Sequence, residues 1–181
     1  MTTAYPGQIA VRGLPCPDCH TTHALTRGEL AILDNLARGA TTDDIGRLLN
    51  PGHDPDSLTS SNRIYRAIND VLHVLGAKTR VHAVDIGCRT QLLTMPSGVR
   101  PPVDGVTAQQ VRTAALLASG LTYQEIAEQL GVPDRTVRSR LNRLYADLGA
   151  AGGPHAVWSL HAIGALPAHH PCSCRSRAAR R

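Results

Sequence analysis

Cysteine and histidine side chains, which bind metal ions, cluster near both ends of the 181-residue chain. Near the start, two thiols in a Cys-x-x-Cys spacing precede two imidazoles, and near the end two imidazoles precede two thiols. The residues are Cys16, Cys19, His20 and His23, and His169, His170, Cys172 and Cys174. Because a structural zinc ion takes four nitrogen or sulfur ligands in a tetrahedron, zinc is the predicted cofactor.

Two zinc sites fit this pattern. The first uses the four cysteines of the two clusters and joins the chain ends, and the second is local, with the two N-terminal cysteines and one or both of their histidines. The two C-terminal histidines are alternative ligands. In a third interpretation these side chains bind nothing. The Cys-x-x-Cys-His order also fits the attachment of a c-type haem, which belongs outside the cytoplasm.

Other classes of protein are disfavoured by what the sequence lacks. It has no apolar run that could cross a membrane or act as a signal peptide, so we expect a cytoplasmic protein with no membrane partner. Structural disulfides are rare there, and Cys88 is expected to be a small core residue. We find no phosphate-binding glycine loop, nucleophile elbow or spaced carboxylate pair, so no enzymatic activity is predicted.

A second group of residues with binding chemistry lies in residues 121–149, where the sequence predicts a short helix, a tight turn and a longer basic helix. In the basic helix, apolar residues recur at helical spacing and should face inward: Val137, Leu141, Leu144 and Leu148. The opposite face carries Arg135, Arg138, Ser139 and Asn142. Arginine bonds guanine and phosphate, and asparagine bonds adenine, so this face suits a DNA major groove.

These residues and their neighbours resemble the LuxR/NarL (GerE-type) helix-turn-helix family. The matching positions are Val106-Thr107, residues 116–122, Glu125-Ile126-Ala127, Leu130, Val132, Thr136-Val137, Leu144, Leu148-Gly149 and His155-Ala156-Val157. The resemblance implies a DNA-binding transcriptional regulator whose third helix enters the major groove, with Arg138, Ser139 and Asn142 at the base-reading positions. The family usually caps that helix with serine. Here Pro133 holds that position, and Asp134 is the candidate to replace the cap.

The same pattern occurs a second time, earlier in the chain. Residues 25–29 align with residues 106–110, an offset of 81, and residues 75–76 align with residues 148–149, an offset of 73. The first copy therefore holds eight more residues, which fit a proline-containing loop at residues 50–58. Two capping boxes in each copy predict helix starts. They are Thr26 with Glu29, Thr41 with Asp44, Thr107 with Gln110, and Thr122 with Glu125.

The alignment also predicts the remaining helices. The third helix of the first copy should span residues 61–75, with Ile64, Ile68, Val71 and Leu75 inward. By alignment, Tyr65, Arg66 and Asn69 then hold its base-reading positions. In the second helices, Ile45 and Leu49 should face the core as Ile126 and Leu130 do. Fourth helices are expected at residues 80–93 and 154–166, with His82 and His155 as partly buried packing residues.

We therefore predict an all-α protein with two tetrahelical LuxR-type domains joined by a proline-rich linker, and a small zinc site at the chain ends. The segments are residues 1–24, the Cys/His-containing start; 25–93, the first domain; 94–105, the linker; 106–168, the second domain; and 169–181, a Cys/His and arginine-rich tail. In the family the fourth helix commonly carries the dimer contact. The two copies could thus form a pseudo-dimer within one chain, or each could pair with another chain.

The charge of the chain supports a nucleic-acid partner. A net charge of +5 and a pI of about 9.3 favour an anionic partner. We predict sequence-specific binding of double-stranded DNA and transcription regulation. The predicted DNA-contacting residues are Arg135, Thr136, Arg138, Ser139, Arg140, Asn142, Arg143 and Thr122 in the second copy, and Arg63, Tyr65, Arg66, Asn69 and Lys78 in the first.

Two alternatives to DNA binding by both copies remain open. One is a protein-interaction module that binds RNA polymerase or another regulator through a degenerate helix-turn-helix fold, which the long loop of the first copy favours. The other is a sigma-factor-like protein. The helix-turn-helix would fit that class, but the sequence has no aromatic-rich segment for opening DNA.

Overall fold

The computed structural model describes residues 10–15, 22–50, 58–94 and 105–166, and within residues 58–60 it describes only the backbone. These ranges contain two short strands and eight helices, so the described chain is mostly helical, as predicted. The elements are β1 (Val11–Arg12), β2 (Ala24–Leu25), α1 (Arg27–Ala37), α2 (Thr42–Leu49), α3 (Leu58–Leu75), α4 (Arg80–Arg89), α5 (Ala108–Ala118), α6 (Tyr123–Leu130), α7 (Asp134–Asp147) and α8 (Gly153–Ala162). None of the described helices is long and apolar enough to span a membrane.

The four predicted capping boxes are confirmed, and they start α1, α2, α5 and α6. At α6, for example, the Glu125 N–H donates to Thr122 Oγ1 at 3.3 Å, and the Thr122 N–H donates to Glu125 Oε2 at 2.7 Å. These bonds satisfy two of the amides that a helix leaves unpaired at its start. The local sequence therefore sets the beginning of half of the described helices.

Three helix boundaries differ by three residues or more from the predicted ones. Helix α3 begins at Leu58, three residues early, so the predicted loop at residues 50–58 is wrong at its last position; residues 51–57 lie outside the described residues. Helix α4 ends at Arg89 because Gln91 adopts a left-handed φ of 55°, and α8 ends at Ala162, shortly before Gly164 with a φ of 68°. Leu92, Leu93 and Leu166 are nevertheless buried, because the chain turns back over the core.

The predicted inward faces of α3 and α7 are confirmed. The buried residues are Ile64, Ile68, Val71 and Leu75 in α3, and Val137, Leu141, Leu144 and Leu148 at and just beyond α7. Cys88 is also buried, and burial raises the pKa of its thiol, with the nearby Asp85 carboxylate as the second cause. The core prediction is wrong for Leu49, which is 38% exposed. The chain leaves α2 extended at Asn50, whereas at α6 the left-handed Gly131 turns the chain back toward the core.

Helices α1–α4, here called the first unit, pack against helices α5–α8, the second unit, mainly through α4 and α8. Helix α1 also contacts α8, and α5 contacts α4. Two glycines allow this approach, since a Cβ on Gly39 would lie 2.9 Å from His155 Nδ1, and one on Gly120 would lie 2.9 Å from His82 Nδ1. The same imidazole nitrogens accept backbone N–H groups, from Ala151 and Lys78 respectively, each at 3.1 Å.

A buried contact between a carboxylate and an imidazole crosses the same junction. Asp85 of α4 is fully buried, and its Oδ1 lies 2.8 Å from Nε2 of His161 in α8. Its Oδ2 lies 3.7 Å from Nη1 of Arg89, a side chain that is itself almost fully buried. Because an isolated charge is costly to bury, a shift of α4 against α8 that removed the imidazole of His161 from Asp85 would be unfavourable.

Candidate nucleic-acid interface

Helices α6 and α7 form a helix-turn-helix. They pack against each other and are joined by Gly131, Val132 and Pro133. Gly131 holds the turn in a left-handed conformation with φ of 64°, and the Val132 N–H donates to the Ala127 carbonyl at 3.0 Å. A β-carbon would make that φ unfavourable, which explains the glycine at this point of the turn.

The outer face of α7 is exposed, as predicted. Its exposed residues are Arg135, Arg138, Ser139, Asn142 and Arg143, and Thr136 and Arg140 are partly buried at its sides. The fully buried Val137, Leu141 and Leu144 hold the opposite face against the rest of the second unit. The helix therefore presents guanidinium, hydroxyl and amide groups together on a surface that can meet the edges of base pairs.

The predicted capping role of Asp134 is wrong. Pro133 is the N-cap residue of α7 and makes no side-chain cap, while Asp134 is already the first helical residue. A carboxylate caps best from one position earlier, where it can reach the amides of the first turn. Asp134 Oδ2 instead accepts from Arg138 Nε at 2.8 Å, and its negative charge still favours the positive end of the helix dipole.

Arg138 is held in place by groups from both helices of the motif. Its Nε donates to Asp134, and its guanidinium carbon lies 4.9 Å from the centre of the Tyr123 ring, at the start of α6. The hydrogen bond to Asp134, with the charge of that carboxylate, raises the pKa of Arg138. The terminal nitrogens make no hydrogen bond to other described residues. They are the two donors with which arginine binds guanine.

The start of α6 offers backbone amides to a phosphate. The capping box occupies the N–H groups of Thr122 and Glu125, which leaves those of Tyr123 and Gln124 beside the exposed Thr122. Hydrogen bonds from the Thr122 backbone and then its hydroxyl lower the pKa of Glu125, and the charge of Lys78 contributes to the same shift. Lys78 belongs to the first unit, so a cation of the first unit lies near this helix start.

The candidate residues of the first unit lie on the exposed side of α3. They are Arg63, Tyr65, Arg66 and Asn69, and Lys78 is exposed beyond the end of the helix. The guanidinium carbon of Arg80 lies 5.8 Å from the centre of the Tyr65 ring. The connection from α2 to α3 includes residues 51–57, outside the described residues.

A cavity of about 430 Å³ lies where the two units meet. Its polar lining comes from Arg80 of the first unit and from Tyr123, Tyr145 and His155 of the second. Burial, and then the neighbouring Tyr123, raise the pKa of Tyr145, and burial lowers the pKa of His155. Tyr123 thus contacts Arg138 and also lines a cavity with Arg80.

Of the eight predicted zinc ligands, the structure describes only His23. The others, Cys16, Cys19, His20, His169, His170, Cys172 and Cys174, lie outside the described residues. Burial lowers the pKa of His23, partly offset by a hydrogen bond with the backbone of Val74, and the buried Nε2 has no partner in the described chain. No group of three metal-binding side chains occurs within the described ranges.

Sequence reasoning missed strands β1 and β2, which pair antiparallel with Val11 opposite Leu25 and so flank residues 16–21. Strands of two residues are too short for a periodic pattern to reveal them. It also missed Tyr123 and Arg80. Tyr123 follows the capping threonine directly, but its contact with α7 exists only in the folded structure.

Comparison with known families supports the helix-turn-helix. Residues 109–148, which run from α5 to the end of α7, match the model of Sigma-70, region 4. This segment therefore has a helix-turn-helix fold of the DNA-binding kind. The match is not specific for the LuxR/NarL family, and it covers one segment of the chain. No curated protein and no solved structure gives a significant match.

Proposed function

We propose that the protein is a sequence-specific transcriptional regulator that binds double-stranded DNA with α7 in the major groove. The observation that carries the proposal is the exposed face of α7, which presents three arginines, Ser139 and Asn142 on the second helix of a helix-turn-helix. Arginine can bond guanine and asparagine can bond adenine, so this face can recognise both kinds of base pair.

Each residue of this interface has a proposed role. Arg138, Ser139 and Asn142 contact base edges, and Arg138 approaches guanine already aligned by Asp134 and Tyr123. The surrounding residues bind phosphates and fix the position of the helix: Arg135, Thr136, Arg140, Arg143 and Thr122. The phosphate nearest Thr122 can also accept from the free amides at the start of α6.

We further propose that the two units are tandem LuxR-type copies that form a pseudo-dimer within one chain. Corresponding helices have equal lengths in three of four cases: 11 residues in α1 and α5, 8 in α2 and α6, and 10 in α4 and α8. The contacts of Gly39 with His155 and of Gly120 with His82 are also reciprocal. If α3 binds DNA as α7 does, Tyr65, Arg66 and Asn69 face the second half-site.

The alternative function is contact with RNA polymerase or another regulator through the first unit. Its specific support is the exposure of large hydrophobic side chains on α2 and α3, where Leu48 is 46% exposed and Tyr65 is 49% exposed. The acidic start of α2, with Asp43 and Asp44, also disfavours the approach of a phosphate there. In this alternative the helix-turn-helix fold serves protein contact and does not read a DNA sequence.

A structural zinc ion near the start of the chain is a further part of the proposal, and His23 supports it. Its Nε2 is buried with no partner in the described chain, which is the state of an imidazole whose lone pair serves a metal. His23→Ala should lower the zinc measured in the purified protein by native mass spectrometry, whereas His73→Ala, an exposed control, should not. Equal zinc content in both variants would exclude His23 as a ligand.

The test of DNA recognition is selection from a pool of random duplexes by the purified, zinc-replete protein, followed by sequencing. Enrichment of one motif is expected. A motif with two half-sites would support recognition by both units, and a single half-site would assign the first unit to another partner. No enrichment, with binding that disappears as salt is raised, would overturn sequence-specific recognition and favour the alternative.

A further inference from the structure

Arg80 lies between the candidate DNA faces of the two units. It is the first residue of α4, and its guanidinium lies over the Tyr65 ring on the exposed side of α3. The same side chain lines the cavity that Tyr123 lines from the second unit, and Tyr123 in turn contacts Arg138. Arg80 contacts Tyr65 of α3 and Tyr123 contacts Arg138 of α7, and the cavity at the junction lies between the two pairs because Arg80 and Tyr123 both line it.

Lys78 lies beside the second unit as well. A Cβ on Gly120 would lie 3.4 Å from the Lys78 Cβ, so the base of the lysine side chain lies close to the chain just before α6. Gly120 stands two residues before Thr122, the residue that starts the helix whose amides face a phosphate. The exposed ammonium of Lys78 thus extends from the first unit close to the phosphate-binding end of the second.

The two cations are not needed to pack the junction. The second unit carries Ala151 and Gly153 at the aligned positions, and Ala151 packs against Gly39 as Lys78 packs against Gly120. Small neutral residues therefore suffice for this contact. The helix that follows Gly39 is α2, the counterpart of α6, and its first turn carries Asp43 and Asp44. At these two pairs of aligned positions, the positive charge therefore lies on the side of the junction that faces α6 and α7.

The charge of Arg80 is also available to a ligand. Arg80 makes no ion pair with any residue in the described ranges, and its contact with the Tyr65 ring orients the guanidinium without neutralising it. A guanidinium held by an aromatic ring at a junction, with an ammonium two residues away, suits the phosphates of a nucleic acid strand.

We infer that Arg80 and Lys78 of the first unit bind phosphates of the DNA that α7 recognises, so that the interface is built from both units. This inference rests on the proposed function, and it gives the first unit a role in DNA binding that requires no base recognition by α3.

The test compares Arg80→Gln and the Lys78→Gln/Arg80→Gln double variant with Arg27→Gln in the full chain. Arg27 is the control because it is also the first residue of a helix after a threonine cap, and it is exposed at the far end of α1 from Gly39, whereas Arg80 is partly buried. Affinity for a selected duplex and for an unrelated duplex is measured by fluorescence anisotropy over a series of salt concentrations.

Each lost phosphate contact should reduce the slope of log affinity against log salt by about 0.9. Between 50 and 200 mM salt, the wild type should therefore lose roughly 12-fold more affinity than the double variant. Both duplexes should be affected equally, and Arg27→Gln should keep the wild-type slope. A loss of stability alone would not change the slope.

Three outcomes overturn the inference in distinguishable ways. Slopes of both variants equal to that of the wild type would show that these side chains bind no phosphate, while the proposed function would stand. An affinity loss on the selected duplex alone would make Arg80 a base contact instead. A wild-type protein that binds neither duplex would overturn the proposed function and the inference together.

Discussion

Removing Asp85 should uncouple the two units, because its carboxylate is the buried partner of His161 across the junction of α4 and α8. Asp85→Ala leaves the buried Arg89 without its nearby carboxylate and His161 without its hydrogen bond. Breaking a buried ion pair from one side costs about 3–5 kcal/mol. With a urea dependence of about 2 kcal/mol per M for a chain of this size, the unfolding midpoint should fall by about 1.5–2.5 M.

The assay is reversible urea unfolding followed by far-UV circular dichroism, with Asp70→Ala on the exposed side of α3 as the control. An exposed carboxylate of this kind should change the stability by less than about 0.5 kcal/mol. If Asp85→Ala does not fold, Asp85→Asn keeps an acceptor for His161 and reports only the loss of charge.

The specific readout is a double-mutant cycle with His161→Ala. A direct contact predicts a coupling energy of about 0.5–3 kcal/mol between the two sites. Additive effects of Asp85→Ala and His161→Ala would refute the argument that this pair joins the units, even if each variant is destabilised on its own.

Three further predictions concern the interface and its support. Arg138→Ala should relax the preference at one base position by about 5- to 150-fold in competition binding, whereas Arg143→Ala should weaken binding to all sequences alike. A uniform loss of affinity in Arg138→Ala would show that Arg138 contacts a phosphate and not a base. Thr122→Ala removes the side-chain cap of α6 and should lower the free energy of unfolding by about 1 kcal/mol, measured by thermal unfolding. Thr122→Ser keeps the capping hydroxyl and should retain most of that stability. Equal stability of the two variants would exclude a capping role. Burial lowers the pKa of His155 in the folded protein below 6.5, its value in the unfolded chain. Because the unfolded chain therefore binds this proton more strongly, the free energy of unfolding should fall as the pH drops below about 6.5. His155→Asn, which keeps an acceptor for the Ala151 N–H, should show a smaller fall between pH 7.5 and 5.5; an unchanged pH profile would contradict this assignment.

The elements that the sequence predicted well are those that local chemistry determines. A threonine followed three residues later by Asp, Glu or Gln can cap a helix through two local hydrogen bonds, and four such pairs do so here. The inward faces of α3 and α7 follow from the helical period, because burying Ile68 or Leu141 requires a fixed set of neighbours on the same face.

The predictions that failed concern residues next to the turns that follow α2 and α6, because the backbone conformation of those turns decides where the neighbouring residues lie. Leu49 and Leu130 hold equivalent positions in their helices, but only α6 is followed by a left-handed glycine that folds the chain back. Asp134 was one residue too late to cap α7, and the start of that helix depends on the turn set by Gly131 and Pro133.

The parts of the candidate site that sequence reasoning missed join distant segments. Tyr123 and Arg138 lie 15 positions apart, and Arg80 and Tyr123 line the same cavity only because the two units pack through α4 and α8. No local pattern records that packing. The outward residues of α7 could be predicted, whereas the groups that hold Arg138 in place could not.

Recognition of bases by α7 is tested most directly by repeating the selection of random duplexes with two matched variants, Asn142→Ala and Asn69→Ala. The two asparagines hold aligned positions on the exposed sides of α7 and α3. We predict that Asn142→Ala loses the preference for adenine at one position of the motif and keeps the rest, whatever the effect of Asn69→Ala. A motif that Asn142→Ala leaves unchanged at every position would contradict the proposal that α7 reads the DNA sequence.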